Sequence, residues 1–193
     1  MEAAIRDVER RFLIGVPDVT EILLVRHGDC YQEMDGEAGD DPPLSELGRR
    51  QATALAERIQ AMPLAAVYAS PLRRAQQTAE ALRHPVHLDS RLVEAEIDWE
   101  QGIRFTERIE DVGARVAQAV NDAVAHHRGA RLVMVSHAAA IMAYLSRLLQ
   151  LPSPGLRLLP YFTSVSVVRA KDDRRVVGSI ADATHLPPAE PAP

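Results

Sequence analysis

Hydrophobic residues in this chain occur in short blocks separated by longer amphipathic stretches. Residues 22–25 and 132–135 are the clearest blocks, each with four apolar residues followed at once by polar ones. Continuous apolar runs of this length are typical of strands buried in a parallel sheet. Residues 65–69 predict a further short strand, and residues 164–168 with 175–178 predict an antiparallel hairpin.

Between these strands, apolar residues recur every three or four positions, which predicts amphipathic helices. For the second helix, Ser70 is the predicted N-cap and Pro71 the first helical residue. The alternation of strands and helices predicts an α/β fold, with a mostly parallel central sheet, helices on both of its faces and one antiparallel edge strand. The predicted helices span about residues 45–62, 70–83, 109–123 and 138–150.

The length of 193 residues corresponds to a single domain with a substantial core. We expect this core to span about residues 21–180. Residues 1–17 are either a small amphipathic helix or an arm that faces a partner, and the pattern does not decide between them. Residues 187–193 contain four prolines and are predicted to be a flexible tail.

Composition and charge narrow the function classes. A net charge of −5 argues against nucleic-acid binding, and no apolar run is long enough to span a membrane. The single cysteine, Cys30, excludes an intrachain disulfide framework and fits a reducing compartment. The N-terminus is charged where a secretory signal is apolar, so we expect a soluble cytoplasmic protein.

Two histidines follow directly on the two clearest strands. His27 comes after the first strand, between Arg26 and Gly28, and His137 follows the strand at 132–135. In open α/β sheets, ligands bind at the carboxyl ends of the strands. A neutral imidazole is a nucleophile suited to phosphoryl transfer, and arginine binds phosphate oxygens through its planar fork. The pattern therefore predicts a site for a phosphorylated substrate.

Arg73 and Arg74 begin the second predicted helix, where backbone N–H groups also favour an anion. We expect Arg73 to face solvent. For Arg74 we favour phosphate binding, with an ion pair to a carboxylate of the acidic loop at 29–43 as the alternative. The leaving oxygen also needs a proton donor, and the candidates are the acidic residues of segment 92–100.

Five segments of the chain, in this order, resemble the histidine phosphatase superfamily, which has the phosphoglycerate-mutase-like fold. Any one segment would be a weak signal, but five in family order, each on the expected element, are a specific one. The resemblance covers nearly the whole chain, from about residue 21 to residue 180. The segments are 24–28 (LVRHG), 43–52 (PLSELGRRQA), 68–79 (YASPLRRAQQTA), 91–94 (RLVE) and 135–137 (VSH).

The resemblance implies that His27 becomes phosphorylated and that Arg26, Arg74 and His137 form the phosphate pocket. Glu94 falls on the position of the proton donor in the phosphatases of the family. The family chemistry uses no metal and no other cofactor, which agrees with the lack of metal-ligand spacing in this sequence.

Three positions depart from the family pattern. Cys30 and Glu33 stand where the first segment usually has threonine and asparagine, and Ala138 replaces a glycine after the second histidine. Glu33 either points away from the site, acts as an alternative acid or weakens phosphate binding. The glycine–tryptophan spacing around Trp99 is also disturbed, which makes Glu96 the second candidate for the proton donor.

The sequence thus favours a metal-independent phosphomonoester hydrolase that acts through a phosphohistidine. The substrate is either a small phosphorylated metabolite or a phosphoprotein. The sequence allows a homodimer but does not determine the oligomeric state. A phosphoglycerate-type mutase is the nearer alternative, although mutases of this fold carry longer insertions than the short loop after Arg91. A non-catalytic protein that binds phosphate or phosphopeptides is the alternative from a different class, suggested by the three departures.

Overall fold

A computed structural model describes residues 1–30, 41–98, 104–151 and 158–187 of the chain. Three sequence predictions lie outside these ranges: those on Glu33 and Trp99, and that on the tail at 187–193 for all but its first residue. The predictions of a single domain and of a core at 21–180 stay predictions.

Of the eight strands in these ranges, six form one mixed sheet in the order β3-β2-β6-β1-β7-β8. The first four run parallel, whereas β7 is antiparallel to both β1 and β8. The mostly parallel sheet with an antiparallel edge is therefore confirmed. The strands are β1 (Thr20–Arg26), β2 (Ala66–Ala69), β3 (Val86–Leu88), β4 (Ile97–Asp98), β5 (Arg104–Phe105), β6 (Arg131–Ser136), β7 (Val165–Lys171) and β8 (Arg174–Asp182), with β4 and β5 forming a separate pair.

Helices cover both faces of the sheet, as predicted. One face packs against α2 and α3, where Leu55 and Ala75 contact the sheet through Val67 and its neighbours. The other face packs against α4 and α5, whose apolar residues share a core with Leu24 and Met134. This sandwich buries β1 and β6 on both sides, which explains their continuous apolar runs. The helices are α1 (Glu2–Arg11), α2 (Glu46–Ile59), α3 (Arg73–Glu80), α4 (Ile109–His126) and α5 (Ala138–Leu148).

The second predicted helix begins later than its sequence suggests. The prediction that Ser70 is its N-cap is wrong, because α3 begins at Arg73 with Leu72 in the extended cap position. The Ser70 N–H still donates to the carbonyl of Val135 at 2.9 Å, and a proline next in the chain disfavours helical backbone at Ser70. Ser70 therefore lies directly after strand β2, beside the end of strand β6.

Residues 1–17 contain the helix α1, and every residue of α1 whose side chain the structure describes is exposed. The chain then turns inward at Leu13, which is buried. No helix in the described ranges is long and apolar enough to cross a membrane.

The chain that leaves β1 is pressed against the start of α2. Ser45, the N-cap of α2, accepts the N–H of Gly48 at 3.0 Å and donates its hydroxyl to the Asp29 carboxylate at 2.5 Å. Gln51 accepts the N–H of Asp29 at 2.8 Å. A β-carbon on Gly48 would overlap the backbone carbonyl of Asp29. This contact fixes the path of the backbone two residues after His27.

We predict that Gly48→Ala destabilises the protein by about 1–3 kcal/mol, because the backbone of Asp29 has to move. Alanine is the better helix former, so without this overlap the same substitution would stabilise α2 by about 1 kcal/mol. Urea unfolding gives the sign. Gly178→Ala is the control, since the nearest atoms to its β-carbon belong to the far end of a flexible side chain, the guanidinium of Arg169, at 2.7 Å, and not to the backbone. A Gly48→Ala protein as stable as wild type or more so would contradict the prediction.

Candidate active site

The carboxyl ends of three neighbouring strands bring the predicted residues together. His27 follows β1, Ser70 follows β2 and His137 follows β6. The N–H of His27 donates to the carbonyl of Ser136 at 3.0 Å, which keeps the ends of β1 and β6 level. The ring centroids of His27 and His137 are 5.0 Å apart. Two histidines that are 110 positions apart in the chain therefore share one site.

His27 is held as a neutral base with one nitrogen available. Its Nδ1 lies 2.7 Å from the carbonyl oxygen of Gly28, so Nδ1 carries the proton and donates it. The lone pair is then on Nε2, which accepts the Nε–H of Arg74 at 3.3 Å. Burial, and then the positive charge of Arg74, lower the pKa of His27 to about 3. A neutral imidazole with a free electron pair is the form that attacks phosphorus.

His137 is oriented by Ser70, a functional residue that the sequence analysis interpreted only as a helix cap. The Nε2 of His137 lies 2.8 Å from the hydroxyl of Ser70, and both residues are fully buried. That hydroxyl also accepts the N–H of Leu72 at 3.3 Å, and Nε2 is the one acceptor among the described residues to which the buried hydroxyl can give its own proton. The proton of the neutral His137 ring is consequently on Nδ1. Burial, and then the charges of His27 and Arg74, hold the pKa of His137 well below its usual value.

Arg26 and Arg74 each present a buried donor without a partner. Arg26 donates from Nη1 to the carbonyl of Pro160 at 2.9 Å, while its buried Nε has no hydrogen-bond partner within the described residues. The same holds for the buried Nη1 of Arg74, which lies 3.7 Å from a carboxylate oxygen of Asp41. Arg73 is exposed, as expected. The ion pair considered for Arg74 is thus present, but at a distance too long for a hydrogen bond.

Three buried nitrogens without a hydrogen-bond partner among the described residues belong to the residues around His27: Nε of Arg26, Nη1 of Arg74 and Nδ1 of His137. Buried polar atoms are nearly always hydrogen-bonded, and the positive charges of Arg26 and Arg74 both act on His27. An anion with several acceptor oxygens would satisfy all three donors and neutralise the charge. The arrangement is chemically suited to bind a phosphoryl group.

Glu94 rather than Glu96 lies against the segment that carries His137. Its carboxylate accepts the backbone N–H groups of Ala95 at 2.9 Å and of Ala140, in the first turn of α5, at 3.0 Å. Burial raises the pKa of Glu94, although these N–H groups and the charge of Arg74 act in the opposite direction. A raised pKa suits a group that must carry a proton near neutral pH. Glu96 is exposed and accepts a hydrogen bond from Thr106 instead.

Arg115 on α4 fixes the backbone around Glu94. It donates to the carbonyl oxygens of Val93 at 2.8 Å and of Glu94 at 3.1 Å, and it pairs with Glu107. Nothing in the sequence singled out Arg115, because the carbonyl groups that it binds around Glu94 lie more than twenty positions earlier in the chain.

Cys30 lies in the interior, where burial raises the pKa of its thiol. A raised thiol pKa disfavours the thiolate, so Cys30 fits the interpretation of a small space-filling residue. The structure contains no cluster of three or more histidine, cysteine or acidic residues able to hold a metal ion in the ranges it describes.

Comparison with known proteins agrees with this geometry. The sequence matches the model of the histidine phosphatase superfamily (branch 1) over residues 22–107 and 95–183. The chain belongs to this superfamily, which confirms the resemblance drawn from the five segments.

The relatives include phosphatases and mutases. A metal-independent phosphoserine phosphatase of Arabidopsis thaliana is 28% identical, covering 88% of this chain and 84% of its own. A probable phosphoglycerate mutase of Enterobacter sp. (strain 638) is 29% identical, covering 72% and 79%. The solved structure of a mycobacterial glucosyl-3-phosphoglycerate phosphatase with VO3 has a TM-score of 0.70 at 25% identity, covering 84% and 99%. An Entamoeba histolytica phosphoserine phosphatase shares the fold, with a TM-score of 0.75 at 23% identity, covering 86% and 99%.

We predict that the two buried histidines make the protein less stable in mild acid. The unfolded chain binds protons at both residues below about pH 6.5, whereas the folded protein keeps His27 neutral down to about pH 3. The free energy of unfolding therefore falls as the pH drops from 6.5 towards 3, with each histidine contributing at most about 1.4 kcal/mol per pH unit. Urea unfolding at several pH values measures this slope.

Other groups also titrate in this range, so the comparison with His27→Asn and His137→Asn isolates the effect. Each variant should show a shallower dependence on pH than wild type. Imidazole signals of His27 and His137 that titrate between pH 7 and 6 in NMR spectra of the folded protein would contradict the prediction.

Proposed function

We propose that this protein is a metal-independent phosphomonoester hydrolase in which His27 is the nucleophile. The observation that carries the proposal is the neutral His27, with its lone pair on Nε2, near three buried donors that have no hydrogen-bond partner in the part of the chain that the structure describes. Such a set is suited to a dianionic phosphate ester, whose oxygens need several donors while phosphorus is attacked. Membership of the histidine phosphatase superfamily supports the same reaction class.

In the first step, Nε2 of His27 attacks phosphorus in line with the ester oxygen. Arg74 exchanges its hydrogen bond to Nε2 for one to a phosphate oxygen, since the lone pair is needed for the new N–P bond. Arg26, Arg74 and His137 hold the non-bridging oxygens as charge builds on them. The P–O bond to the leaving group breaks, and Glu94 gives its proton to the departing oxygen. The product alcohol leaves, and His27 is phosphorylated.

In the second step, water attacks the phosphohistidine. Glu94, now a carboxylate, accepts a proton from the water as the O–P bond forms. The N–P bond breaks, inorganic phosphate is released, and His27 returns to its neutral state. The balance of burial, N–H groups and Arg74 around Glu94 supports this double role, because its proton must be both lost and regained in each cycle.

For the substrate we favour a small phosphorylated metabolite over a phosphoprotein. The named relatives include phosphatases of phosphoserine and of glucosyl-3-phosphoglycerate, both small esters. A phosphoglycerate-type mutase is the second candidate, because other relatives bear that name. We place the enzyme in the cytoplasm on account of its one cysteine.

We predict that wild-type protein releases phosphate from para-nitrophenyl phosphate without added metal, whereas His27→Ala has no measurable turnover. His84→Ala, which alters a half-buried histidine outside the site, should keep the wild-type rate. A phosphate-release assay in the presence of a chelator measures all three proteins.

Each other outcome has a definite meaning. Turnover by His27→Ala at the wild-type rate would overturn the mechanism. Interconversion of phosphoglycerates without release of phosphate would assign the protein to the mutases. Binding of phosphate without turnover of any ester would favour a non-catalytic binding protein.

The choice between the two acids can be tested directly. We expect Glu94→Gln to slow the phosphorylation of His27 by an alkyl phosphate by about 10²–10⁴-fold, because the leaving alkoxide then departs without a proton. With para-nitrophenyl phosphate the loss should be smaller, since that leaving group is stable as an anion. Glu96→Gln is the matched control and should react like wild type. Single-turnover kinetics separate this step from hydrolysis, and equal losses for both variants would contradict the assignment.

A further inference from the structure

The guanidinium of Arg26 is held by a segment that none of the five family-like segments includes. Residues 158–163 lead into β7 and pass beside the end of β1. The guanidinium lies over the ring of Phe162, with Cζ of Arg26 3.8 Å from the ring centroid. The ring centroid of Phe162 is also 5.7 Å from that of His27. Phe162 thus contacts both the predicted nucleophile and one of its arginines.

Phe162 and Pro160 together leave Arg26 little freedom. The carbonyl of Pro160 accepts Nη1 at 2.9 Å, while the ring of Phe162 covers one face of the guanidinium. Phe162 is itself buried, with 6% of its surface exposed. A planar cation stacked on a ring and bonded at one end keeps a single orientation. In this orientation its Nε is one of the three unpaired donors of the site.

The backbone at Thr163, the residue after Phe162, is strained. Thr163 has a φ of +54°, a conformation that is costly for a β-branched residue. It occupies the third position of a turn in which the Ser164 N–H donates to the carbonyl of Tyr161 at 3.0 Å. Its N–H donates to the carbonyls of Arg26 at 2.9 Å and of His27 at 3.3 Å. The strained turn therefore ties Phe162 to the backbone of both site residues.

A side-chain network anchors the same turn from behind. The hydroxyl of Thr163 lies 3.1 Å from Nε2 of His185, and Nδ1 of His185 lies 3.2 Å from a guanidinium nitrogen of Arg58. Arg58 is fixed in turn by the carboxylate of Asp182, at 2.6 Å. The turn is thus braced by α2 and by the end of β8, two elements outside the site.

We propose that Phe162 is a positioning residue of the phosphate site, and that it acts by holding the Arg26 guanidinium in its phosphate-binding orientation. The inference rests on the proposed function for the role of Arg26. Phe162 does not touch the reacting atoms. It limits the orientations of Arg26 before the substrate arrives, so that phosphate binding does not have to order this side chain.

The test compares Phe162→Leu, which keeps an apolar side chain but removes the ring, with Phe162→Tyr, which keeps the ring. We expect Phe162→Leu to raise the dissociation constant of inorganic phosphate about tenfold, the size of a desolvated cation–π contact, and to lower kcat/KM for para-nitrophenyl phosphate by a similar factor. Phe162→Tyr should keep the wild-type dissociation constant and the wild-type kcat/KM. Phe105→Leu is the matched control: it should cost stability in the core and leave phosphate binding unchanged.

A double-mutant cycle separates positioning from a general structural effect. In an Arg26→Ala background, Phe162→Leu should cause no further loss of phosphate affinity or kcat/KM, because the side chain that Phe162 holds is absent. The melting temperature of each variant shows whether it remains folded.

The outcomes are distinct. The positioning role would be overturned, even in an active enzyme, if Phe162→Leu bound phosphate as tightly as wild type. It would also be overturned if Phe162→Leu lowered phosphate affinity equally in the wild-type and the Arg26→Ala backgrounds. If wild type binds phosphate but turns over no ester, the proposed function fails while the affinities still decide the role of Phe162. No binding of phosphate by wild type would overturn both.

Discussion

The site depends on the parallel pairing of β1 with β6. Their register sets Arg26 opposite Ser136, so both strands end at the same level. The residue that follows each strand is a histidine, and the centroids of the two rings are 5.0 Å apart. A shift of one position would turn one histidine to the other face of the sheet, because side chains alternate along a strand. The apolar faces of four helices hold this register, and the chemistry of the site is therefore a consequence of core packing.

Burial gives the site its electrostatic character. Two imidazoles removed from water and close to guanidinium groups stay neutral, and a neutral imidazole can either attack or donate. Arginine keeps its charge in the same surroundings. The result is a positively charged environment around uncharged histidines, with donors that have no partner among the described residues. Binding a phosphoryl group would give these donors hydrogen-bond partners and would also neutralise the positive charge of the arginines.

Around this pair, the structure divides its supporting contacts among distant parts of the chain. Ser70 orients His137, the first turn of α5 holds Glu94, and the turn at Phe162 holds Arg26. Each contact fixes one side chain in one rotamer. Residues that bind a transition state gain most from such preorganisation, because they need not be ordered during the reaction. The positive φ of Thr163 is a local cost that the surrounding core sustains.

Local pattern was enough to predict the strand ends, the helix faces and the five family-like segments, and from these His27, His137, Arg26, Arg74 and Glu94. The two histidines and their arginines needed only neighbouring residues and the rule that ligands bind at the carboxyl ends of parallel strands, whereas the choice of Glu94 rested on the resemblance to the family. The sequence already favoured Glu94 over Glu96, and the tertiary structure supports that order, because the Glu94 carboxylate accepts a backbone N–H of α5 whereas Glu96 is exposed. The roles of Ser70 and Phe162 could not be predicted from the sequence, because the residues that they contact are distant in the chain. Ser70 contacts His137, which lies 67 positions away in the chain. Phe162 covers Arg26, which also binds Pro160, 134 positions away from Arg26. Side-chain contacts over such separations follow from how elements pack, and that packing is decided only when the whole chain folds.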